Sequence, residues 1–210
     1  MVKGLTVKDY QRVTSFYNER YKEKGNDISS VGWSGQESQY LRFDVLFRDY
    51  DPKGKTILDV GCGFGDLYDF LVNKFGNSFH YIGIDISASL IDEANKKHVN
   101  SCAEFYQADL LSLKQYSTKS VDFAVESGML SFKLENNDEY AQQTMQQMFL
   151  IANDGVALNF LTDQVDYQLE KNHHYAVFDV LSWASKLSRS FVIYHDYPLW
   201  EFTIKILKGK

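Results

Sequence analysis

Proline is nearly absent from this chain: only Pro52 and Pro198 interrupt its 210 residues. That excludes a proline-rich linker or polyproline segment. Cysteine is equally scarce. Cys62 and Cys102 are too few for a disulfide framework, and a reducing cytoplasm is the expected compartment. No apolar run approaches the ~20 residues that a membrane-spanning helix requires. The first 21 residues are polar and of mixed charge, so no signal peptide is expected there. Excess basic charge is lacking too. Lysine and arginine number 22 against 28 aspartates and glutamates, a net charge of −6, and the cations are scattered. A binder of duplex DNA or tRNA ordinarily carries a basic face, so no nucleic-acid partner is expected. Nothing in the sequence sets an oligomeric state.

What remains is ordinary globular material, 44% apolar and 24% charged, long enough for one large domain. From residue 56 onward, apolar runs alternate with helical stretches. The expected strands are Thr56–Val60, His80–Ile86, Ala103–Ala108, Val121–Glu126, Val156–Leu161, Phe191–His195 and Phe202–Leu207. Between them the periodicity predicts helices near Asp66–Lys74, Ser87–Lys97, Asp138–Ile151 and Tyr175–Leu187. Near-continuous apolar strands imply a sheet buried on both faces. The expected fold is therefore α/β: doubly wound, mostly parallel and seven-stranded. A short connection through Tyr197-Pro198 predicts an antiparallel hairpin for the last two strands. Residues 1–50 differ. Val7, Tyr10, Val13, Phe16, Tyr17 and Tyr21 recur at helical spacing, and Tyr40, Leu41, Leu46 and Phe47 fit a second helix. These residues read as an N-terminal helical cap, with residues 51–210 as one core unit.

The most telling segment is Thr56-Ile57-Leu58-Asp59-Val60-Gly61-Cys62-Gly63-Phe64-Gly65-Asp66, followed by Gly83-Ile84-Asp85-Ile86. It reads as strand, tight glycine turn, helix and strand, with a carboxylate at the second strand's tip, the layout of a nucleoside-binding βαβ unit. A dinucleotide site would need glycine at position 66 or 68, where this chain has Asp66 and Tyr68. Asp59 and Asp66 are also poor neighbours for a diphosphate. The turn suits a ligand with a positive centre and an amino group.

Four motifs in order resemble those of the class I S-adenosylmethionine-dependent methyltransferases. They are Leu58 to Gly65, Gly83 to Ser87, Tyr106-Gln107-Ala108-Asp109-Leu110, and Val121 to Gly128. The resemblance covers about residues 40 to 208 and implies S-adenosylmethionine as cofactor. It implies that Gly61, Cys62, Gly63 and Gly65 approach the methionine part, with Asp59 near its amino group or sulfonium. Asp85 would take both ribose hydroxyls. Asp109 would accept from the adenine amine, with Leu110 and Ile86 against the ring. Glu126 and Ser127 would border the transferred methyl.

Methyl transfer from a sulfonium needs alignment more than a marked catalytic group, and a base only where the acceptor loses a proton. The fourth motif, Glu126-Ser127-Gly128-Met129-Leu130, lacks the Asn/Asp-Pro-Pro-Tyr/Phe seen in enzymes methylating DNA bases or glutamine, which favours a small-molecule acceptor. Tyr17, Tyr21 and Trp33 are candidates for an aromatic substrate wall, against ordinary core packing. Arg42 is a candidate partner for the methionine carboxylate, against an ion pair with Asp44 or Glu37. His173 and His174, in Lys171-Asn172-His173-His174-Tyr175, are candidate general bases, against a solvated loop. They lack the spaced partners of a metal site, and no metal is expected. Met145 and Met148 are expected in the core, and Thr203 and Lys205 on the polar face of the last strand. Two alternatives share the scaffold: another use of S-adenosylmethionine (cleavage, cyclisation or aminocarboxypropyl transfer), and a non-catalytic cofactor-binding module.

Overall fold

A computed structural model of the protein describes residues 4–33, 35–99, 101–113 and 120–209. Two helices, α1 (Val7–Lys24) and α2 (Gln36–Leu46), precede the first strand. The chain then alternates β1 (Thr56–Val60), α3 (Asp66–Phe75), β2 (His80–Asp85), α4 (Ala88–Lys97), β3 (Ala103–Gln107) and β4 (Val121–Glu126). It ends with α5 (Asn137–Ile151), β5 (Ala152–Leu161), α6 (Val177–Leu187), β6 (Phe191–Tyr194) and β7 (Glu201–Leu207). The seven strands form one sheet in the order β3-β2-β1-β4-β5-β7-β6. The first five run parallel, and β7 lies antiparallel between β5 and β6. The expected doubly wound sheet and terminal hairpin are both present. No helix among the described residues is long and apolar enough to cross a membrane.

Period-two alternation assigns each strand residue to a face. In β1, Ile57 belongs to the core beneath α2, α3 and α4, which Phe43, Leu46, Phe47, Leu71 and Phe123 fill. Leu58 and Val60 belong to the opposite core, beneath α5 and α6, with Met145, Met148, Ile204 and Ile206. Met145 and Met148 are core residues, as expected. Strand order reverses at β1, which has β2 on one side and β4 on the other. Such a switch point opens a crevice beyond the carboxyl ends of the strands.

Several boundaries differ from the periodicity. β5 begins at Ala152, four residues before the expected Val156, directly after α5 and across a register shift against β4. α6 begins at Val177 rather than Tyr175, because Tyr175 is held in a parallel bridge with Thr162 and donates its hydroxyl to Leu130 O at 3.0 Å. Thr203 and Lys205 do lie on the polar side of β7, but that side is buried beneath α2 and the segment after it. Lys205 donates to Arg48 O, and Thr203 bonds Asn159 and Tyr197.

α1 lies across the crevice rather than against a sheet face. Thr6 caps it by accepting from Asp9 N at 3.0 Å. Asp9 in turn accepts from Glu135 N at 3.1 Å, so the helix start is tied to the segment following β4. Farther along, Asn18 Oδ1 accepts from Ser87 at 2.9 Å and Ser89 at 2.6 Å, and Tyr21 donates to Glu93 at 2.9 Å. α2 behaves differently, burying Phe43, Val45 and Leu46 against the sheet.

Candidate active site

The glycine turn occupies the end of β1. Gly61, Gly63 and Gly65 have φ values of 79°, 54° and 77°, a region that side chains disfavour. A Cβ on Gly61 would come within 2.8 Å of Met129 Cβ. Four N–H groups of this turn are engaged internally. Gly61 and Cys62 donate to Ile84 O at 2.8 and 3.0 Å, Gly65 to Cys62 O at 2.9 Å, and Gly63 to Asp85 Oδ2 at 3.1 Å. Phosphate sites need such donors free and aimed at the anion. Here four of them are engaged within the protein, and acidic side chains stand beside them, which disfavours a diphosphate.

A cleft of about 1020 Å³, counted out to its mouth, runs over this turn. Asp59, Gly61, Cys62, Gly63, Asp85, Ile86, Asp109, Leu110 and Ser127 all line it, so nine predicted cofactor residues share one surface. Among the predicted substrate residues, Tyr17 and Trp33 line it and Tyr21 does not. Tyr21 instead packs on Phe64, with ring centroids 5.7 Å apart.

Burial perturbs two of the carboxylates. Burial pushes Asp59 up to about 7, against the opposing 2.5 Å hydrogen bond it accepts from Tyr81. Burial also raises Asp85, whose Oδ1 accepts from Ser87 N at 2.9 Å. Ser87 occupies the N-cap position of α4, but its hydroxyl makes no capping bond and reaches Asn18 of α1 instead. Asp109 accepts from Leu111 N at 3.1 Å and Ser112 Oγ at 2.9 Å, so it caps a short turn and lines the cleft at once. Burial lifts Tyr17 to about 12, keeping its hydroxyl protonated.

Three predicted cofactor residues lie elsewhere. Gly65 faces away: a Cβ there would meet Phe105 at 2.6 Å and His98 at 2.9 Å. Glu126 is fully buried behind the lining, its Oε1 accepting from Leu130 N at 3.1 Å. Burial raises its carboxyl to about 8. It therefore shapes the loop that carries Met129 rather than facing the cleft. Arg42 pairs with Glu201, Nε to Oε2 at 2.7 Å, and not with Asp44 or Glu37. It lines an adjoining cavity instead.

His173 and His174 line neither space. His173 Nε2 lies 3.2 Å from Asp138, and His174 Nδ1 lies 2.7 Å from Thr162 O. The geometry lends no support to a base role for either, because each ring is engaged behind the loop following β5. Sequence reasoning passed over Met129, Tyr140, Phe132 and Gln39, all of which line the cleft. Met129 lay within the quoted fourth motif, and Tyr140 had no signal beyond being an aromatic in a polar helix.

Comparison with known proteins agrees with this geometry. A family profile described as a methyltransferase domain matches residues 57–155. Rv1506c, a candidate methyltransferase of Mycobacterium tuberculosis, is 28% identical over 163 residues, covering 73% of this chain and 93% of its own. Among solved structures, the 1,6-didemethyltoxoflavin N1-methyltransferase of Burkholderia thailandensis superposes with a TM-score of 0.68 at 14% identity. That match covers 100% of this chain and 93% of the other. The [4+2]-cyclase SpnF has a TM-score of 0.62 at 14% identity, covering 91% and 76%. At such identities the two structures bear on fold alone. The profile, with the ordered motifs, places residues 57–155 in the methyltransferase-domain family, on the fold that these structures share.

Proposed function

We propose that the cleft holds S-adenosylmethionine and that the protein transfers its methyl group to a small molecule. The observation that carries this reading is the grouping of the Gly61–Gly63 backbone, Asp59, Asp85 and Asp109 around one cleft, at the tips of β1, β2 and β3. Asp59 would face the cationic end of the cofactor, Asp85 the ribose and Asp109 the adenine amine. Tyr140 and Met129 would complete the adenine-side wall. The transfer is an in-line displacement. The bond from the methyl carbon to the acceptor forms as the carbon–sulfur bond breaks, and sulfur keeps the electron pair. Any acceptor proton passes to solvent or to a base. Alignment and exclusion of water supply most of the rate, which suits a cleft roofed by Leu5, Val13, Tyr17 and Trp33. Cytoplasmic residence is part of the reading, supported by the free thiols of Cys62 and Cys102.

Calorimetry with S-adenosylmethionine tests the donor. Binding at micromolar to submillimolar concentration is expected, and no binding at millimolar cofactor overturns the reading. Turnover then separates methyl transfer, which yields S-adenosylhomocysteine only when acceptor is present, from a reaction on the cofactor alone. The roofed cleft is the feature that would suit that second chemistry, and methylthioadenosine released without acceptor would favour it.

A further inference from the structure

A second cavity adjoins the cleft and shares Tyr17, Trp33, Gly128 and Phe132 with it. It extends over the ends of β5 and β7, and Phe16 adds a further aromatic wall. Its charged lining consists of Arg42, Lys171 and Glu201 among the described residues. Glu201 begins β7 on the strand's buried polar side, with only 3% of its side chain exposed. One carboxylate oxygen takes the Arg42 Nε proton at 2.7 Å. Arg42 is fixed twice more, by donating to Ser38 O at 2.9 Å and by lying 4.4 Å over the Trp33 ring. The other oxygen, Oε1, has no hydrogen-bond partner among the described residues. The Tyr197 hydroxyl is near enough to act on the Glu201 carboxyl, and in its 2.9 Å bond with Thr203 either oxygen can donate. A buried acceptor left without a donor is costly, so a ligand N–H that reaches it is favoured.

We propose that this second cavity is the acceptor chamber and that it takes a flat, uncharged ring whose N–H donates to Glu201 Oε1. The inference rests on the methyl-transfer reading. Flatness follows from the aromatic walls of Phe16, Trp33 and Phe132. Neutrality follows from the charges. Arg42 already compensates Glu201, and Lys171 adds a second cation, so an ammonium ligand would meet net positive charge. A carboxylate or phosphate ligand would instead face the free lone pairs of Oε1. The shared walls at Gly128 and Trp33 put such a ring next to Ser127 and Met129, beside the donor cleft. Glu201 is then a specificity residue, and Arg42 a positioning residue that acts through it.

Four probes test this on the protein saturated with S-adenosylhomocysteine: quinazolin-4(3H)-one, its 3-methyl derivative, benzylammonium and benzoate, titrated by ligand-observed NMR. Quinazolinone is expected to bind at least fivefold more tightly than each of the other three. In Glu201→Gln the preference over the 3-methyl derivative should fall below twofold, because an amide accepts a weaker hydrogen bond than a carboxylate. Binding of none of the probes, equal binding of quinazolinone and its methyl derivative, tighter binding of benzylammonium or benzoate, or unchanged discrimination in the variant each overturns the proposal. Should the variant not fold, the comparison on the parent protein decides alone. Calorimetry with S-adenosylhomocysteine on the parent keeps the two readings apart. If it does not bind, the methyltransferase reading fails. If it binds and the probes are not discriminated, only the chamber assignment fails.

Discussion

The two cavities meet at Trp33 and Gly128, yet the chain builds them in opposite ways. The donor cleft is local. Its floor comes from residues at the tips of β1, β2, β3 and β4, each placed by its own strand, under a roof from α1 and the segment after it. The second cavity is assembled over distance: Arg42 and Glu201, 159 residues apart in sequence, meet across α2 and β7. A site made of strand tips keeps its spacing in the sequence, whereas a site made by packing does not. The first is also held mainly by backbone, the second by side chains. Substitutions should therefore act on donor and acceptor binding separately.

The largest effect is expected at Asp85. Its two oxygens hold Gly63 N and Ser87 N, and it would also take the ribose hydroxyls. Asp85→Ala should weaken S-adenosylmethionine binding ~100-fold or more, since charge-assisted hydrogen bonds are worth ~1.5–3 kcal/mol each. Calorimetry on a variant whose circular dichroism matches the parent measures it. A loss below tenfold would remove Asp85 from the donor site.

Gly128→Ala should act on the other side of the comparison. The residue has φ 90°, and a Cβ there would run into the Trp33 ring, which lies over Arg42. Displacing that ring disturbs the wall between the cavities and leaves the glycine turn in place. Turnover of a cognate acceptor should fall ~10-fold, while affinity for S-adenosylhomocysteine changes less than threefold. Equal losses in both would show that the two spaces do not separate.

The fold was legible because period-two apolar runs and the glycine turn are local signals, and the three cleft aspartates were legible because each sits at the tip of a strand. Gly65 shows the limit of the pattern. It shares its spacing with Gly61 and Gly63, but the third turn of the chain swings it onto Phe105 and His98. Arg42 shows a second limit. Its sequence neighbours Asp44 and Glu37 were the natural partners, and only the antiparallel placement of β7 brings Glu201 to it. Glu201 itself gave no signal, since a charged residue opening an apolar strand is ordinarily solvated.

A smaller effect should come from pH. Asp59 at about 7 and Glu126 at about 8 are largely neutral in the folded protein at pH 6, whereas both would ionise near pH 4 in the unfolded chain. Folding without ligand thus binds protons. Stability should be greatest at low pH in this window and fall as pH rises from about 4 through about 8. The cationic cofactor works against that trend, because it favours the ionised carboxylates. Its affinity should rise ~3- to 10-fold from pH 6 to pH 8.5, an effect that Glu126→Gln reduces. A flat affinity profile in calorimetry would mean that these groups do not sense the bound cation.

The smallest effect is expected at the histidine pair, and it bears on where the acceptor chamber ends. Lys171 and Asn172 line that chamber, but the two residues after them do not. His173 N donates to Ser131 O at 2.9 Å, and its ring packs edge-on against Tyr175 with centroids 4.5 Å apart. His174 is engaged with Thr162 O. Neither imidazole lines the chamber in this arrangement, so neither can take a proton from an acceptor held there without a rearrangement of the loop. His173→Ala and His174→Gln should each change kcat less than twofold, and the alkaline and acid limbs of the pH–rate profile should keep their midpoints. A tenfold loss in kcat with unchanged cofactor affinity would show that the loop closes inward during turnover, and would extend the chamber to include it.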